Sequence, residues 1–339
     1  MPKIKLSFIQ GLRSVVLKEI YNYPNLTISD EHRDSIFVDF VDNFDSIRML
    51  KSVARAYLVL IDPKFHPLYI SKHKSILGDL IKIVIDGNKK GSFKTYKITC
   101  AGSDSPEVRE INKYVEENYG LAKADDADLK IHIINIDEMW EVGIQITPRP
   151  LSVREYKAAN MSGAMDPTIA YAMNSLAVSQ NSKSYLNVFS GSGTLLIEAA
   201  ECFEGLENLK GFDNDKEHLT LSIQNIKKAG LIKRVQVKEA DIFNAPDFGK
   251  FDVITSDLPF GMVISKNEDL SKLYSTFLQY SAEHLNEDGV LAVYTSETEI
   301  LEKIIPESKF KLVNSLDLKF VTKVDAYIYP KIFICKLKQ

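Results

Sequence analysis

Two short stretches of this 339-residue chain, with two acids spaced between them, hold residue types that can do chemistry together. The first stretch is Asn187-Val188-Phe189-Ser190-Gly191-Ser192-Gly193-Thr194-Leu195-Leu196-Ile197-Glu198. An apolar strand runs into Ser-Gly-Ser-Gly-Thr and then into an amphipathic helix. Glycines at such a turn permit positive φ and let a ligand approach the backbone. The helix start adds unpaired N–H groups. The pattern is not the dinucleotide fingerprint, because Leu196 stands at the third glycine position. It is not a phosphate loop either, since no Gly-Lys-Ser/Thr follows. Alone, Gly-x-Gly is as good a structural turn as a site.

The acids add register. Asp213 ends the next strand, in Gly211-Phe212-Asp213-Asn214-Asp215. A carboxylate there can accept both hydroxyls of a ribose. Asp241 follows the strand after, in Glu239-Ala240-Asp241-Ile242-Phe243. It can accept an adenine amine, with Ile242 against the ring. For either acid alone, a helix cap is the competing role. Together they point to a nucleoside-type ligand without a pyrophosphate, and S-adenosylmethionine fits. The second stretch, Ser256-Asp257-Leu258-Pro259-Phe260-Gly261, follows the apolar strand Phe251–Thr255. Asp257 and the carbonyls of Leu258 and Pro259 offer acceptors, and Phe260 offers a stacking plane. That suits a planar base carrying an amino group; a βα turn with a buried Phe is the competing role.

The elements that must position these groups read as an α/β pattern. Strands are expected at Tyr185–Phe189, Leu209–Phe212, Val235–Glu239, Phe251–Ser256 and Val290–Thr295. Helices are expected at Thr194–Phe203, Lys216–Ala229, Leu270–Leu285 and Glu297–Ile305. Such alternation implies a doubly wound, mostly parallel sheet. Phe310–Phe320 and Ile328–Leu337 read as two late strands that pair antiparallel at its edge. Residues 4–60 read as a small α+β unit, and 64–155 repeat a mixed pattern until Pro148 and Pro150 punctuate the chain.

Composition sets the class. Apolar residues make up 45% and charged residues 26%, so a packed core is expected and global disorder is not. The net charge of −4 argues against a protein basic all over. Even so, residues 64–97 hold eight Lys and two Asp, a stretch that attracts phosphates or forms a solvated face. Cys100, Cys202 and Cys335 lie far apart, which gives neither a disulfide framework nor a Cys-x-x-Cys metal site. No metal is expected. With no long apolar run, the chain reads as a cytoplasmic protein lacking a signal peptide and a membrane span.

On these residues the chain resembles the THUMP-containing, S-adenosylmethionine-dependent RNA guanine-N2 methyltransferases. Phe189–Ala200 is similar to that family's cofactor loop, and Ser256–Gly261 to its Asn/Asp-Pro-Pro-Tyr/Phe motif. Leu151–Tyr156 resembles the exit from a THUMP domain, and Ala164–Ala170 the entry to the catalytic domain. Leu258 replaces the commoner first proline, and Asp257 stands where Asn is frequent. The resemblance implies a Rossmann-like class I methyltransferase sheet over 158–339, a THUMP RNA-binding domain over 61–157 and a ferredoxin-like domain over 1–60. It implies that Phe189, Ser190, Gly191, Gly193 and Thr194 line the cofactor pocket, with an N-cap as the competing role for Thr194. Asp213, Asp241 and Ile242 complete that pocket beside Asp257, and Asp257, Leu258, Pro259 and Phe260 hold the target base. Arg154 and Tyr156 fit inter-domain packing or RNA contact equally. The implied substrate is structured RNA, transfer RNA before ribosomal RNA, with no obligate protein partner. Rival readings are an adenine-N6 methyltransferase and an RNA-binding module with a degenerate catalytic half; a NAD-dependent oxidoreductase fits less well.

Overall fold

The computed structural model describes residues 1–136, 138–158, 163–259, 270–323 and 326–338. They form two compact units, one of Met1–Phe8 with Val16–Ser152 and one of Ile9–Val15 with Val153–Gln339.

The first unit is built on one eight-stranded sheet. Its strands are β1 (Lys3–Ser7), β2 (Ile28–Glu31), β3 (Ser35–Asp39), β4 (Arg55–Ile61), β5 (Thr95–Cys100), β6 (Ala122–Lys123), β7 (Leu129–Ile136) and β8 (Met139–Gln145). They lie in the order β2-β3-β1-β4-β8-β7-β5-β6. Alternation decides the faces: Ile4 and Leu6 of β1 are buried, and their neighbours are half-buried. The division expected at residue 60 falls at the end of β4, which pairs with β1 on one side and β8 on the other. The sheet therefore runs through both expected N-terminal segments without a break. The helix Pro106–Tyr119 starts at Ser105-Pro106-Glu107. Ser105 Oγ accepts the Val108 N–H at 3.3 Å, and Gly120 ends the helix at φ +63°.

The second unit carries a seven-stranded sheet. Its strands are β9 (Ser184–Val188), β10 (Asn208–Asp213), β11 (Val235–Glu239), β12 (Phe251–Asp257), β13 (Leu285–Thr295), β14 (Phe310–Asp317) and β17 (Lys331–Leu337), with a separate hairpin of β15 (Phe320–Lys323) and β16 (Ala326–Ile328). The order is β11-β10-β9-β12-β13-β17-β14. The first five strands are parallel, and β17 runs antiparallel between β13 and β14. The two expected late strands thus pair as anticipated. The β15–β16 hairpin between them, the strand β2 and the helix Pro167–Ala177 were not anticipated. Leu186, Val188, Phe212, Ile254, Phe277 and Phe333 pack one contiguous core with the covering helices. Strands buried on both faces read as unbroken apolar runs, which is why β9 and β12 stood out.

From β9 the chain steps outward to β10 and β11, then returns to place β12 on the other flank of β9. Ligands of doubly wound sheets bind at such a reversal, beyond the carboxyl ends of the strands. Among the described residues no helix is long and apolar enough to cross a membrane.

Candidate functional site

The turn after β9 opens at that reversal. Its backbone is left-handed at Phe189 (φ +55°), Gly191 (φ +50°) and Gly193 (φ +79°). A side chain at positive φ is uncommon, so Phe189 marks a turn held in place by its surroundings. Ser190 N–H donates to the Phe212 carbonyl at 2.9 Å, and Gly193 N–H to the Ser190 carbonyl at 2.8 Å. A Cβ on Gly193 would lie 2.5 Å from Ser222 Oγ. The helix Thr194–Cys202 begins with Gly193 as its N-cap and no side-chain cap. Thr194 is therefore not the cap; its buried hydroxyl sits 3.2 Å from Ser192 Oγ. Among the described residues no side chain caps the first N–H groups of the helix.

Asp213 braces this turn from the end of β10. Its Oδ2 accepts the Gly191 N–H at 2.8 Å, and its Oδ1 accepts the Asp215 N–H at 3.0 Å. His218 Nδ1 also faces Oδ1 at 3.5 Å, while Oδ2 keeps acceptor capacity beyond its one bond. Asp241 does act as a cap: its Oδ1 accepts the Phe243 N–H at 3.0 Å, and the side chain is exposed. Ile242 is buried within the sheet's core cluster, so its apolar surface serves packing first.

On the neighbouring strand, Asp257 ends β12 in register with Tyr294 of β13. Leu258 N–H donates to the Tyr294 carbonyl at 2.9 Å, and the Leu258 side chain is buried. The Tyr274 hydroxyl donates to the Pro259 carbonyl at 3.0 Å and lies 2.9 Å from Thr295 Oγ1. Thr295 Oγ1 in turn accepts the Glu297 N–H at 3.0 Å. Burial pushes the Tyr274 phenol up to about 12. Asp257 shows part of its surface, yet its carboxyl is set deep enough that burial pushes it up to about 8. Phe260, expected to stack on the base, lies outside the described residues.

Both corners open on one cleft. Of the expected site residues, Phe189, Ser190, Gly191, Thr194 and Asp257 form its walls. Gly193, Asp213, Asp241, Ile242, Leu258 and Pro259 are not on its walls; Gly193 and Asp213 support the turn from behind. Ala164, Met165 and Asn187 line the cleft and were not singled out as site residues. A polar Asn within an apolar strand was the available signal for Asn187. Its Oδ1 and the Oγ of Ser190 are buried with no hydrogen-bond partner among the described residues, which is costly unless a ligand supplies one.

Two buried polar rails hold the corners together. Asn187 Nδ2 donates to the Thr255 carbonyl at 3.1 Å, from β9 to β12. Thr255 Oγ1 donates to the Tyr185 hydroxyl at 2.8 Å, which donates to Asn174 Oδ1 at 2.7 Å. Asn174 Nδ2 then donates to the Leu195 carbonyl at 3.0 Å, in the helix that follows the turn. A strap at 154–158 adds a third tie. Arg154 makes a two-pronged pair with Glu198 at 2.9 and 3.2 Å, and the Tyr156 hydroxyl donates to Glu198 at 2.8 Å. Ala158 N–H donates to Asn225 Oδ1 at 3.1 Å, and Asn225 Nδ2 donates to the Ser192 carbonyl at 3.1 Å. Packing inside the second unit is thus a role of Arg154 and Tyr156.

Comparison with known proteins gives a consistent result. Residues 154–322 match the family described as RMKL-like, methyltransferase domain. A tRNA (guanine(6)-N2)-methyltransferase of Thermus thermophilus is 29% identical over 237 residues, covering 68% of this chain and 67% of that protein. A U6 snRNA (guanine-N(2))-methyltransferase THUMPD2 of Mus musculus is 30% identical over 213 residues, covering 60% of this chain and 39% of that one. The chain therefore spans between about two fifths and two thirds of these relatives. The crystal structure of TrmN from Thermus thermophilus superposes over 100% of both chains with a TM-score of 0.77 at 21% identity, which shows the shared fold.

Proposed function

Residues 154–322 belong to the RMKL-like methyltransferase family, and from that premise we propose that this protein transfers a methyl group from S-adenosylmethionine to the exocyclic N2 of a guanine in RNA, transfer RNA being the preferred class. One observation carries the reading: the Ser190–Thr194 turn and Asp257 face the same cleft. The names of the Thermus and mouse relatives support guanine N2 as the acceptor.

The residues present fit the donor. Ser190 Oγ and Asn187 Oδ1 are orphaned beside the cleft, the turn is glycine-lined, and Asp213 keeps acceptor capacity for ribose hydroxyls. Asp241, open on one oxygen, would take the adenine amine, with Ile242 beneath it. When bound, the sulfonium supplies an electrophilic methyl group.

The chain's own groups prepare the acceptor. A guanine amine is a poor nucleophile because its lone pair is delocalised into the ring. Asp257 and a backbone carbonyl would accept its two N–H groups, favouring a pyramidal nitrogen and stabilising the positive charge that grows there. The Pro259 carbonyl already accepts the Tyr274 hydroxyl, so the Leu258 carbonyl is the better partner. Asp257 then receives the departing proton, a role suited to a group poised near the working pH. Phe260 would stack on the extruded base.

In this reading residues 1–60 and 61–157 act as ferredoxin-like and THUMP RNA-binding segments, and the protein works in the cytoplasm. The test is incubation with labelled S-adenosylmethionine and RNA from cells lacking the gene, followed by nucleoside identification. Label in N2-methylguanosine supports the reading; label in N6-methyladenosine, or none, overturns it. Fragment mapping then separates transfer RNA from ribosomal and small nuclear RNA.

A further inference from the structure

We infer that the β15–β16 hairpin is a stacking platform for unpaired nucleotides flanking the target base; this rests on the reading of the protein as an RNA methyltransferase. The sheet register places the platform. Asp257 on β12 lies opposite Tyr294 on β13, and Tyr294 lies opposite Ile332 on β17. Neighbouring strands are about 4.8 Å apart, so Ile332 is roughly 10 Å across the sheet from Asp257. Thr295, the last residue of β13, faces Lys331, the first of β17. The chain just before Lys331 therefore leaves the sheet at the edge where Asp257 works. Tyr329 and Tyr327 stand a few residues beyond that point, within the reach of a few unstacked nucleotides.

The platform has the chemistry of a nucleic-acid contact. Lys319 Nζ lies 3.9 Å from the Tyr327 ring centre and 5.8 Å from that of Tyr329. The two rings are 6.4 Å apart. Tyr327 is 44% exposed, Tyr329 61% and Val321 70%, far more than packing requires of large apolar side chains. Among the described residues no carboxylate pairs with Lys319, whereas nearby Lys331 is held by Glu302 at 2.7 Å and Asp317 at 3.0 Å. A cation held over two half-exposed rings, with no anion on it among the described residues, is complementary to a base with its phosphate.

The platform's foot is fixed. Lys319 N–H donates to the Gln10 carbonyl at 3.1 Å, and Leu318 N–H to the Pro330 carbonyl at 2.8 Å. Gly11, at φ +107°, lies so close to Asp317 that a Cβ would strike its carbonyl oxygen. An enzyme that takes a base out of its stack leaves the flanking bases without neighbours. Aromatic faces near that point recover part of the lost stacking, in any sequence.

The experiment compares the full-length protein with the double variant Tyr327→Ala/Tyr329→Ala and with the double variant Tyr327→Phe/Tyr329→Phe. The probes are a fluorescein-labelled mixed-sequence single-stranded oligoribonucleotide, read by anisotropy, and unmodified RNA in the transfer assay. The alanine pair is expected to weaken oligoribonucleotide binding about tenfold or more and to raise the KM for RNA similarly. Its affinity for S-adenosylmethionine and its melting temperature should match the wild type. The phenylalanine pair should retain RNA affinity, since the faces remain. Unchanged RNA affinity in the alanine pair overturns the inference, leaves the transfer reading intact and turns attention to a protein partner. Weakened RNA binding by the alanine pair, alongside a wild type that transfers no methyl, supports the platform and sinks the transfer reading.

Discussion

Asp257 is acidic in sequence but held neutral by its surroundings until about pH 8, because burial penalises its charge. The ordinary value in an unfolded chain is about 3.9. The group therefore favours the folded state fully below pH ~4, and that contribution is lost as pH rises toward 8. Asp257→Asn lacks the loss. It should melt above the wild type at pH 8 to 9, and a series of melting curves from pH 4 to 9 checks whether the gap closes at the acid end. The same substitution keeps an acceptor oxygen but removes the base, and transfer should fall about 10²–10⁴-fold. If the ionised form takes the proton, wild-type kcat/KM for S-adenosylmethionine rises with pH and levels off above about 8. A cationic donor beside the carboxylate draws its pKa down, so the kcat profile should level off at lower pH; a flat kcat/KM profile would remove Asp257 from the proton's path. Tyr274 adds a second test. Tyr274→Phe frees the Pro259 carbonyl and should lower kcat about fivefold to tenfold with donor binding unchanged, in line with one net hydrogen bond. The Asp-Leu-Pro-Phe turn was legible as a site because acceptors and an aromatic follow a buried strand. Its Tyr274 anchor was not legible, since the helix Leu270–His284 brings it in from beyond the turn.

The elements were easier to read than their ties. Period and turn chemistry located β9 to β13 and the helices between them, because strands buried on both faces and amphipathic helices leave distinct patterns. The helix Pro167–Ala177 escaped that reading: it is apolar almost all round, with Ile169, Ala170, Ala172 and Met173 buried, so it shows little amphipathic signal. Yet it carries Asn174, the middle of the rail from β12 to the helix behind the glycine turn. Tyr185→Phe removes the hydroxyl that joins Thr255 to Asn174 and leaves Asn174 Oδ1 buried without its donor. We expect about 1–3 kcal/mol of lost stability, read by urea titration, and weaker donor binding as the turn loosens. Gly193→Ala strikes the same turn from the other side. It places a Cβ against Ser222 Oγ at a φ of +79°, so donor affinity measured by calorimetry should fall while RNA affinity stays. Equal donor affinity in that variant would mean that the turn can shift without harm to the pocket.

At the scale of the whole molecule, the switch from an α+β half to a doubly wound half was legible near Pro150, and the two units divide after Ser152. The continuity of the first unit was not legible, because β8 pairs with β4 across most of that unit's length and pairing partners leave no local mark. The Lys-rich stretch 64–97 shows the same limit. As a run it looks uniformly basic, but folding has paired Lys74 with Glu110 at 2.6 Å and Lys97 with Asp125 at 3.1 Å. Among the described residues Lys89, Lys90 and Lys94 are exposed and in no ion pair, so they remain available to phosphates. Long-range attraction to RNA should come from these and not from the paired lysines. The triple variant Lys89→Gln/Lys90→Gln/Lys94→Gln is expected to weaken RNA binding and to flatten its dependence on salt, by about one unit of logarithmic slope for each phosphate that is no longer neutralised. Its kcat at saturating RNA should be unchanged, since lysines on the phosphates position the substrate without touching the reacting nitrogen. Lys74→Gln, whose charge is already compensated, is the control and should leave the slope where it was. Should Lys74→Gln flatten the slope as much as the triple variant does, the folded pairing of these lysines would not govern RNA capture, and the whole basic stretch would act as one diffuse field.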